Sequence, residues 1–336
     1  MKVVVPAAGQ GTRLYPQTHT KPKPMVRVAG KPILGHILDD VVASPIQEVV
    51  IVVGVMQRTV IDYATDQYGT ALELEFVEQD RPEGLGHAVY QARPKVEEGP
   101  LCIALGDMLF ERGLDRFLAA HRSLEGVDGS IGVKRVDEPS NYGIVTVDGE
   151  RVAGLSEKPD DPPSDLAISG IYFVEDAPGL FDALESLIEA DHRGAGGEYQ
   201  LTDALQRTLD RGAEFGTFEV GEWYDCGRPE TLLAANRVLL EAQNGAGTAA
   251  IRDGASVVRQ PADIGDDVTL EGSVVGPYVS IDDGAEVIDS HVTDAIVGCD
   301  SSLRRVNLTD SIVGDDATVE GTPNELNVGD SSDVRL

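Results

Sequence analysis

No aspartate or glutamate occurs in the first 38 residues of this chain, although its 336 residues carry 58 acids and a formal charge of −31. Lysine is nearly as scarce: there are seven against twenty arginines, and four of the seven (Lys2, Lys21, Lys23, Lys31) fall inside the acid-free stretch. With Arg13 and Arg27 they form a cationic island of +6 in an acidic molecule, and such an island focuses anions. The scarcity of lysine elsewhere disfavours binding to nucleic acid through a general basic surface, which must neutralise many phosphates. Self-repulsion at this net charge is tolerable in a cytoplasm of very high salt, so a halophilic source is expected. Cysteine is rare too. Cys102, Cys226 and Cys299 are widely separated and form neither CxxC nor a His/Cys spacing that would seat zinc, so they read as reduced thiols of a cytoplasmic protein. No apolar run approaches the roughly 18 residues needed to span a bilayer, and the opening MKVVVPAAGQG has no long apolar region or cleavage site, so no membrane partner is expected.

What is present suggests two domains, 1–243 and 244–336, since the chain exceeds one average domain and its 41% apolar content is ample for packed cores. In the first, short β-branched runs (Val3–Val5, Val49–Val53, Leu72–Val77, Leu101–Leu105) alternate with amphipathic segments (Ile33–Ala43, Arg58–Gln67, Leu85–Arg93). That is the rhythm of βαβ units and a mostly parallel α/β sheet, whose ligands bind at the carboxyl edge of the strands. From about residue 130 the strands lie closer together (Ser130–Val136, Gly143–Val147, Arg151–Ser156, Ile168–Val174), which predicts antiparallel pairing. Helices near Pro178–Glu189, Tyr199–Arg211 and Glu230–Gln243 close the domain.

Past the Gly/Ala stretch Asn244–Gly254 an aliphatic-Gly pair recurs at Ile264-Gly265, Val275-Gly276, Val297-Gly298, Val313-Gly314 and Val328-Gly329. DAIVGCDSSL (Asp294–Leu303) and DSIVGDDATV (Asp310–Val319) align at an offset of sixteen. Inward aliphatics with Gly and Asp at the corners predict the stacked coils of a parallel β-helix, with an ordinary all-β sandwich as the alternative. Four or five such coils leave open ends that favour packing on a partner, so a homo-oligomer is expected.

The apolar run Val3–Val5 feeds a loop of small residues in which Gly9 and Gly11 expose main-chain N–H groups. That loop lacks the third glycine of GxGxxG, and no GxxxxGK[ST] occurs, so neither a dinucleotide fold nor a P-loop is supported. AAGQGTRLYP followed by TKPKPMVRVAGKPIL resembles instead the signature of the sugar-1-phosphate nucleotidylyltransferases. Downstream matches follow in the family's order: GLGHAV (Gly84–Val89) after Gln79, LGD (Leu105–Asp107), NYGIV (Asn141–Val145), EKP (Glu157–Pro159), SGIYF (Ser169–Phe173), GEYQLTDA (Gly197–Ala204) and WYDCGRPETLLAAN (Trp223–Asn236). They span residues 1–242, and the tail NVGDSSDVRL is similar to that of long-form glucose-1-phosphate thymidylyltransferases. The resemblance implies a Rossmann-like mixed, mostly parallel sheet followed by a short left-handed parallel β-helix.

It also implies a chemistry. A sugar phosphate oxygen attacks the α-phosphorus of a nucleoside triphosphate and pyrophosphate leaves, so two polyanions must be brought together and screened. The resemblance assigns Arg13 and Lys23 to the triphosphate and its transferred group, and Asp107 and Asp225 to Mg²⁺, an oxygen-rich pair suited to a hard cation. Ala8, Gly9, Gly11, Thr12, Gln79, Gly84 and Leu85 resemble the family's nucleotide contacts, with Gln79 and the Gly84-Leu85 backbone reading the imide edge of uracil or thymine. Tyr142, Gly143, Glu157, Lys158, Gly170 and Glu198 resemble its sugar-phosphate contacts. Plainer readings exist: solvated charge for Lys21, Lys23 and Lys31, a turn or cap for Asp107, a strand bend for Gly143, half-buried core for Tyr142, a helix-start charge for Glu198 and packing for His87. Two departures stand out. Met108 replaces the Asn that commonly follows LGD, and Gly196 replaces an Arg, with Arg193 three residues earlier; the second puts one phosphate contact in doubt.

The expected activity is therefore transfer of a nucleotidyl group from dTTP or UTP to glucose 1-phosphate, with uridylyltransferase or another sugar-1-phosphate specificity as alternatives. An added acetyltransferase activity is disfavoured by a short tail whose one histidine is His291. A non-catalytic sugar-nucleotide-binding regulator would have been signalled by loss of Lys23, Asp107 or Asp225, and all three are present.

Overall fold

The computed structural model describes residues 1–9, 11–54, 56–96, 98–243 and 256–322. The stretch 244–254 and the pair Val328-Gly329 lie outside the described residues. The chain divides into two compact units, one of residues 1–27 and 31–232, the other of residues 28–30 and 233–336.

In the first unit, chain order runs β1 (Lys2–Pro6), β2 (Arg27–Val28), β3 (Lys31–Pro32), α1 (Ile33–Val42), β4 (Glu48–Val53), α2 (Gln57–Tyr68), β5 (Glu73–Glu78), α3 (Leu85–Gln91), β6 (Leu101–Ala104), β7 (Met108–Phe110) and α4 (Leu114–Ser123). It continues through β8 (Gly129–Arg135), β9 (Gly143–Asp148), β10 (Arg151–Glu157), β11 (Leu166–Val174), α5 (Ala177–Glu189), α6 (Leu201–Asp210), β12 (Phe215–Glu219), β13 (Trp223–Asp225) and α7 (Pro229–Ala242), the last running into the second unit. Nine strands form one sheet in the order β5-β4-β1-β6-β11-β8-β12-β10-β9. The first four are parallel. Val3 to Val5 and Val49 to Val53 are buried throughout, the continuous apolar run of a strand covered on both faces. β11 runs antiparallel to β6 and β8, and β9 and β10 pair antiparallel. The exception is β12, which lies parallel to β8 because the chain returns across the sheet through α5 and α6.

Apolar residues at helical spacing drive the cover. α1 buries Ile33, Leu34, Ile37, Leu38 and Val41. α5 starts where Asp176 accepts the Gly179 N–H at 3.1 Å, with a proline in its first turn. No helix among the described residues is long and apolar enough to cross a membrane.

The second unit stacks three parallel four-stranded sheets, consistent with a β-helix. Ala295 to Val297 pair with Ser311 to Val313, the offset of sixteen visible in the sequence. Ile264, Leu270, Val279, Ile281, Val287, Val297 and Leu303 point inward as its core. At the corners Asp267, Asp289, Asp294, Asp300, Asp310 and Asp316 adopt positive φ, which Asp tolerates better than most side chains. Part of the acidic composition thus has a backbone cause.

Candidate active site

The site begins where the chain leaves β1. Gly11 takes φ +64°, and a Cβ there would stand 2.9 Å from both the Lys23 Cβ and the Thr18 Cγ2, so only glycine lets the loop lie against Lys23. Thr18 donates its hydroxyl to the Gly11 carbonyl at 2.7 Å and fixes that bend. After β6, a two-stranded ribbon joins two distant parts of the sequence. β7 and β13 pair Met108 with Asp225, and the Cys226 N–H donates to the Asp107 carbonyl at 3.0 Å. Asp107 and Asp225 are therefore neighbours for a backbone reason.

Between them stands Lys23, buried to 6% exposure. Its ammonium lies 2.6 Å from Asp107 Oδ2 and 3.9 Å from Asp225 Oδ1, and both carboxylates keep a solvent-facing side. Gly227 closes the cluster: a Cβ there would meet Asp225 Oδ1 at 2.7 Å and Arg13 Nη2 and Lys23 Nζ at 3.1 Å. Arg13 thus reaches the same spot from an exposed position. Gly227 was absent from the expected site; it lies inside WYDCGRP but reads there only as a motif letter.

A cleft of about 470 Å³ opens beside this cluster, lined by Ala8, Gly9, Gly11, Thr12, Lys23, Gln79, Gly84, Leu85, Asp107 and Glu198, so ten expected positions share one wall. Arg13 and Asp225 meet Lys23 at its edge, whereas Tyr142, Gly143, Glu157, Lys158 and Gly170 lie outside its lining. The Tyr142 ring packs tilted against Trp223 with centroids 5.4 Å apart, and the pKa of its hydroxyl is pushed up by burial and then by the nearby Asp225 carboxylate. Gly170, at φ +91°, packs on Leu105, which lines the cleft. Glu157 accepts a hydrogen bond from Thr202 at 2.7 Å and lies against Gly143, where a Cβ would come within 2.8 Å of its Oε2. Thr202 is a second position missed from the sequence. Lys158 is largely exposed, 3.7 Å from Glu157.

Several candidates have other work. Lys31 pairs with Asp39 at 2.5 Å. Arg193 holds Glu83 at 2.9 Å and Asp191 at 2.8 Å while lying over the Tyr199 ring, so it clamps the loop before Gly84. Met108 is buried in the ribbon. His121 bridges Ser130 and Glu175 like a hydrolytic triad, but Ser130 is fully buried and no substrate reaches it. A second hollow, at the amino ends of the strands, is walled by Lys2, Glu48, Glu75 and Lys95, whose charges are paired with one another.

Residues 2–242 match the nucleotidyl transferase family. The chain belongs to that family. It is 31% identical to the glucose-1-phosphate thymidylyltransferase of Streptomyces antibioticus, over all of this chain and 99% of that one. With the low-salt glycan biosynthesis nucleotidyltransferase Agl11 of Haloferax volcanii the identity is 33% over the whole of both chains. Among solved structures, UDP-glucose pyrophosphorylase complexed with UDP-glucose superposes with a TM-score of 0.62 at 25% identity, covering 72% of this chain and 98% of the other. The enzyme is thus a sugar-1-phosphate nucleotidyltransferase.

Proposed function

We propose that this nucleotidyltransferase joins glucose 1-phosphate to dTTP, releasing pyrophosphate, with catalysis in residues 1–243. The observation that carries the reading is the buried Lys23 ammonium between Asp107 and Asp225, on a cleft lined by Gly9 and Gly11. Arg13 and the loop's N–H groups hold the triphosphate. Lys23 moves from carboxylates to the α-phosphate as negative charge develops there. Tyr142, Gly143, Glu157, Lys158, Gly170 and Glu198 hold the sugar phosphate, whose hydroxyls need charged or amide partners. No protein base is required, because the attacking phosphate oxygen is already anionic at neutral pH.

Asp107 and Asp225 fit Mg²⁺: two carboxylates already converge on one cation, both are partly exposed, and they offer only oxygen donors. Held by Asp107 and Asp225, Mg²⁺ would supply positive charge to offset the negative charge of the α-phosphate. Two full-length relatives bear names compatible with this chemistry, one of them a thymidylyltransferase. UTP is the second reading, because GLGHAV and YDCG look closer to UTP-glucose enzymes. The same reading makes the second unit a left-handed β-helix with a role in assembly, and the enzyme a cytoplasmic homo-oligomer adapted to high salt.

Purified protein with Mg²⁺, glucose 1-phosphate and dTTP or UTP in molar KCl is expected to release pyrophosphate. No release with any pairing of nucleotide and sugar phosphate would overturn the proposal.

A further inference from the structure

We propose that His87 decides which base edge the cleft accepts, by fixing the orientation of the Gln79 amide; this rests on the nucleotide reading above. Gln79 is 6% exposed and follows β5, where its main-chain N–H donates to the Val53 carbonyl at 2.9 Å. Its side-chain Nε2 lies 3.2 Å from the Gly84 carbonyl oxygen and 3.0 Å from His87 Nδ1. A carbonyl oxygen only accepts, so it is the nitrogen end of the amide that faces Gly84. One amide hydrogen is then committed to Gly84 and the other to His87 Nδ1, which must be unprotonated.

The imidazole proton therefore sits on Nε2. Glu83 supports that placement, with its carboxylate 3.7 Å from Nε2 and held there by Arg193 at 2.9 Å. The Gln91 amide sets its nitrogen 3.0 Å from the same ring nitrogen and 3.5 Å from the His87 carbonyl oxygen, so a proton on His87 Nε2 requires this part-buried amide to turn its oxygen to the ring. The opposite chain, with the proton on Nδ1, keeps Gln91 as it stands and turns over Gln79 alone, but it sets the buried Gln79 oxygen against the Gly84 carbonyl oxygen, acceptor against acceptor, and removes the only Nε2 proton that could face Glu83. Of the two self-consistent arrangements the geometry favours the first.

The consequence falls on the other end of Gln79. Its Oε1, with no donor among the described residues, is the atom offered to the cleft. An acceptor there takes a base with N–H on its pairing edge, as in the imide of uracil and thymine. It repels cytosine and adenine, which place a lone pair at that position. His87 is thus a positioning residue that acts through Gln79.

Two measurements decide the matter. In nitrogen-15 spectra of histidine-labelled wild-type protein, with His87 assigned from His87→Asn, the Nε2–H tautomer is expected; an Nδ1–H tautomer overturns the inference. In pyrophosphate-release assays, His87→Leu is expected to lower the ratio of kcat/KM for UTP or dTTP over CTP about tenfold through KM, with kcat little changed. His87→Asn, whose Oδ1 accepts as Nδ1 does, is expected to restore the ratio to within about twofold. An unchanged ratio in His87→Leu overturns the inference. If the wild type releases no pyrophosphate at all, it is the nucleotide reading that fails, and the tautomer still decides the orientation of Gln79.

Discussion

Replacing Lys23 by Met tests the centre of the site, because it removes a charge while keeping a long apolar stem. Two effects are expected and they separate. In the free enzyme the ammonium lies 2.6 Å from one carboxylate and 3.9 Å from the other, so the two acids face each other at no more than the two distances combined. Like charges about 6 Å apart repel by roughly 2–3 kcal/mol at an effective dielectric of about 20. Asp107 and Asp225 side chains are 34% and 26% exposed, so solvent and salt reduce that to about 1–2 kcal/mol of lost stability. In turnover, loss of a preorganised cation costs roughly 10²–10³-fold in kcat, the range for a single removed donor to developing charge. Pyrophosphate release at saturating substrates measures the second effect, and thermal melts with and without Mg²⁺ measure the first. With no ammonium competing for the two carboxylates, Mg²⁺ should raise the melting temperature of Lys23→Met more than that of the wild type. A folded variant with activity within about threefold of wild type would refute the role of Lys23. An equal Mg²⁺ shift in both proteins would refute the shared carboxylate site.

Gly227→Ala would place a methyl 2.7 Å from Asp225 Oδ1 and 3.1 Å from Arg13 and Lys23, so activity should fall at least about tenfold. Its melting temperature should move little, since the atoms displaced are ends of side chains; full activity would detach Gly227 from the site. Asp40 on α1 has its carboxyl pushed up to about 7, first by burial and then by Asp39 and Asp115. Because the folded pKa exceeds the unfolded one, stability is highest below about pH 4 on account of this group and is lost as pH rises through about 7. Asp40→Asn should therefore stabilise the protein at pH 8, by up to about 4 kcal/mol, and hardly at pH 4; equal urea midpoint shifts at both pH values would contradict this.

How much of this was legible depended on whether a feature was local. The strand-to-glycine-loop step after Val5 and the strand ending at LGD are local patterns, and each falls where the sequence set it. The coil repeat is local too: aliphatics every turn and Asp corners fix sixteen as the step between Asp294 and Asp310. α4 went unread although Leu114, Phe117 and Leu118 carry a helical spacing, so the signal was there. β12 had no such signal. FGTFE is five residues long, and its parallel place beside β8 depends on a crossover through two helices.

The site shows the same division within single residues. Charge is readable from the sequence, because Lys23 or Asp107 carries the same charge wherever its backbone runs, and a cluster of such types announces phosphate chemistry. Direction is not. Gln79 can offer an oxygen or a nitrogen to a ligand, and the choice passes through Gly84 and His87 to Glu83, whose position depends on Arg193. Likewise Glu157 gains its orientation from Thr202, on a helix far along the chain. Reaction class follows from the charges and was open to sequence reasoning. Choice of base and sugar follows from hydrogen-bond direction, which comes into being only when the chain folds.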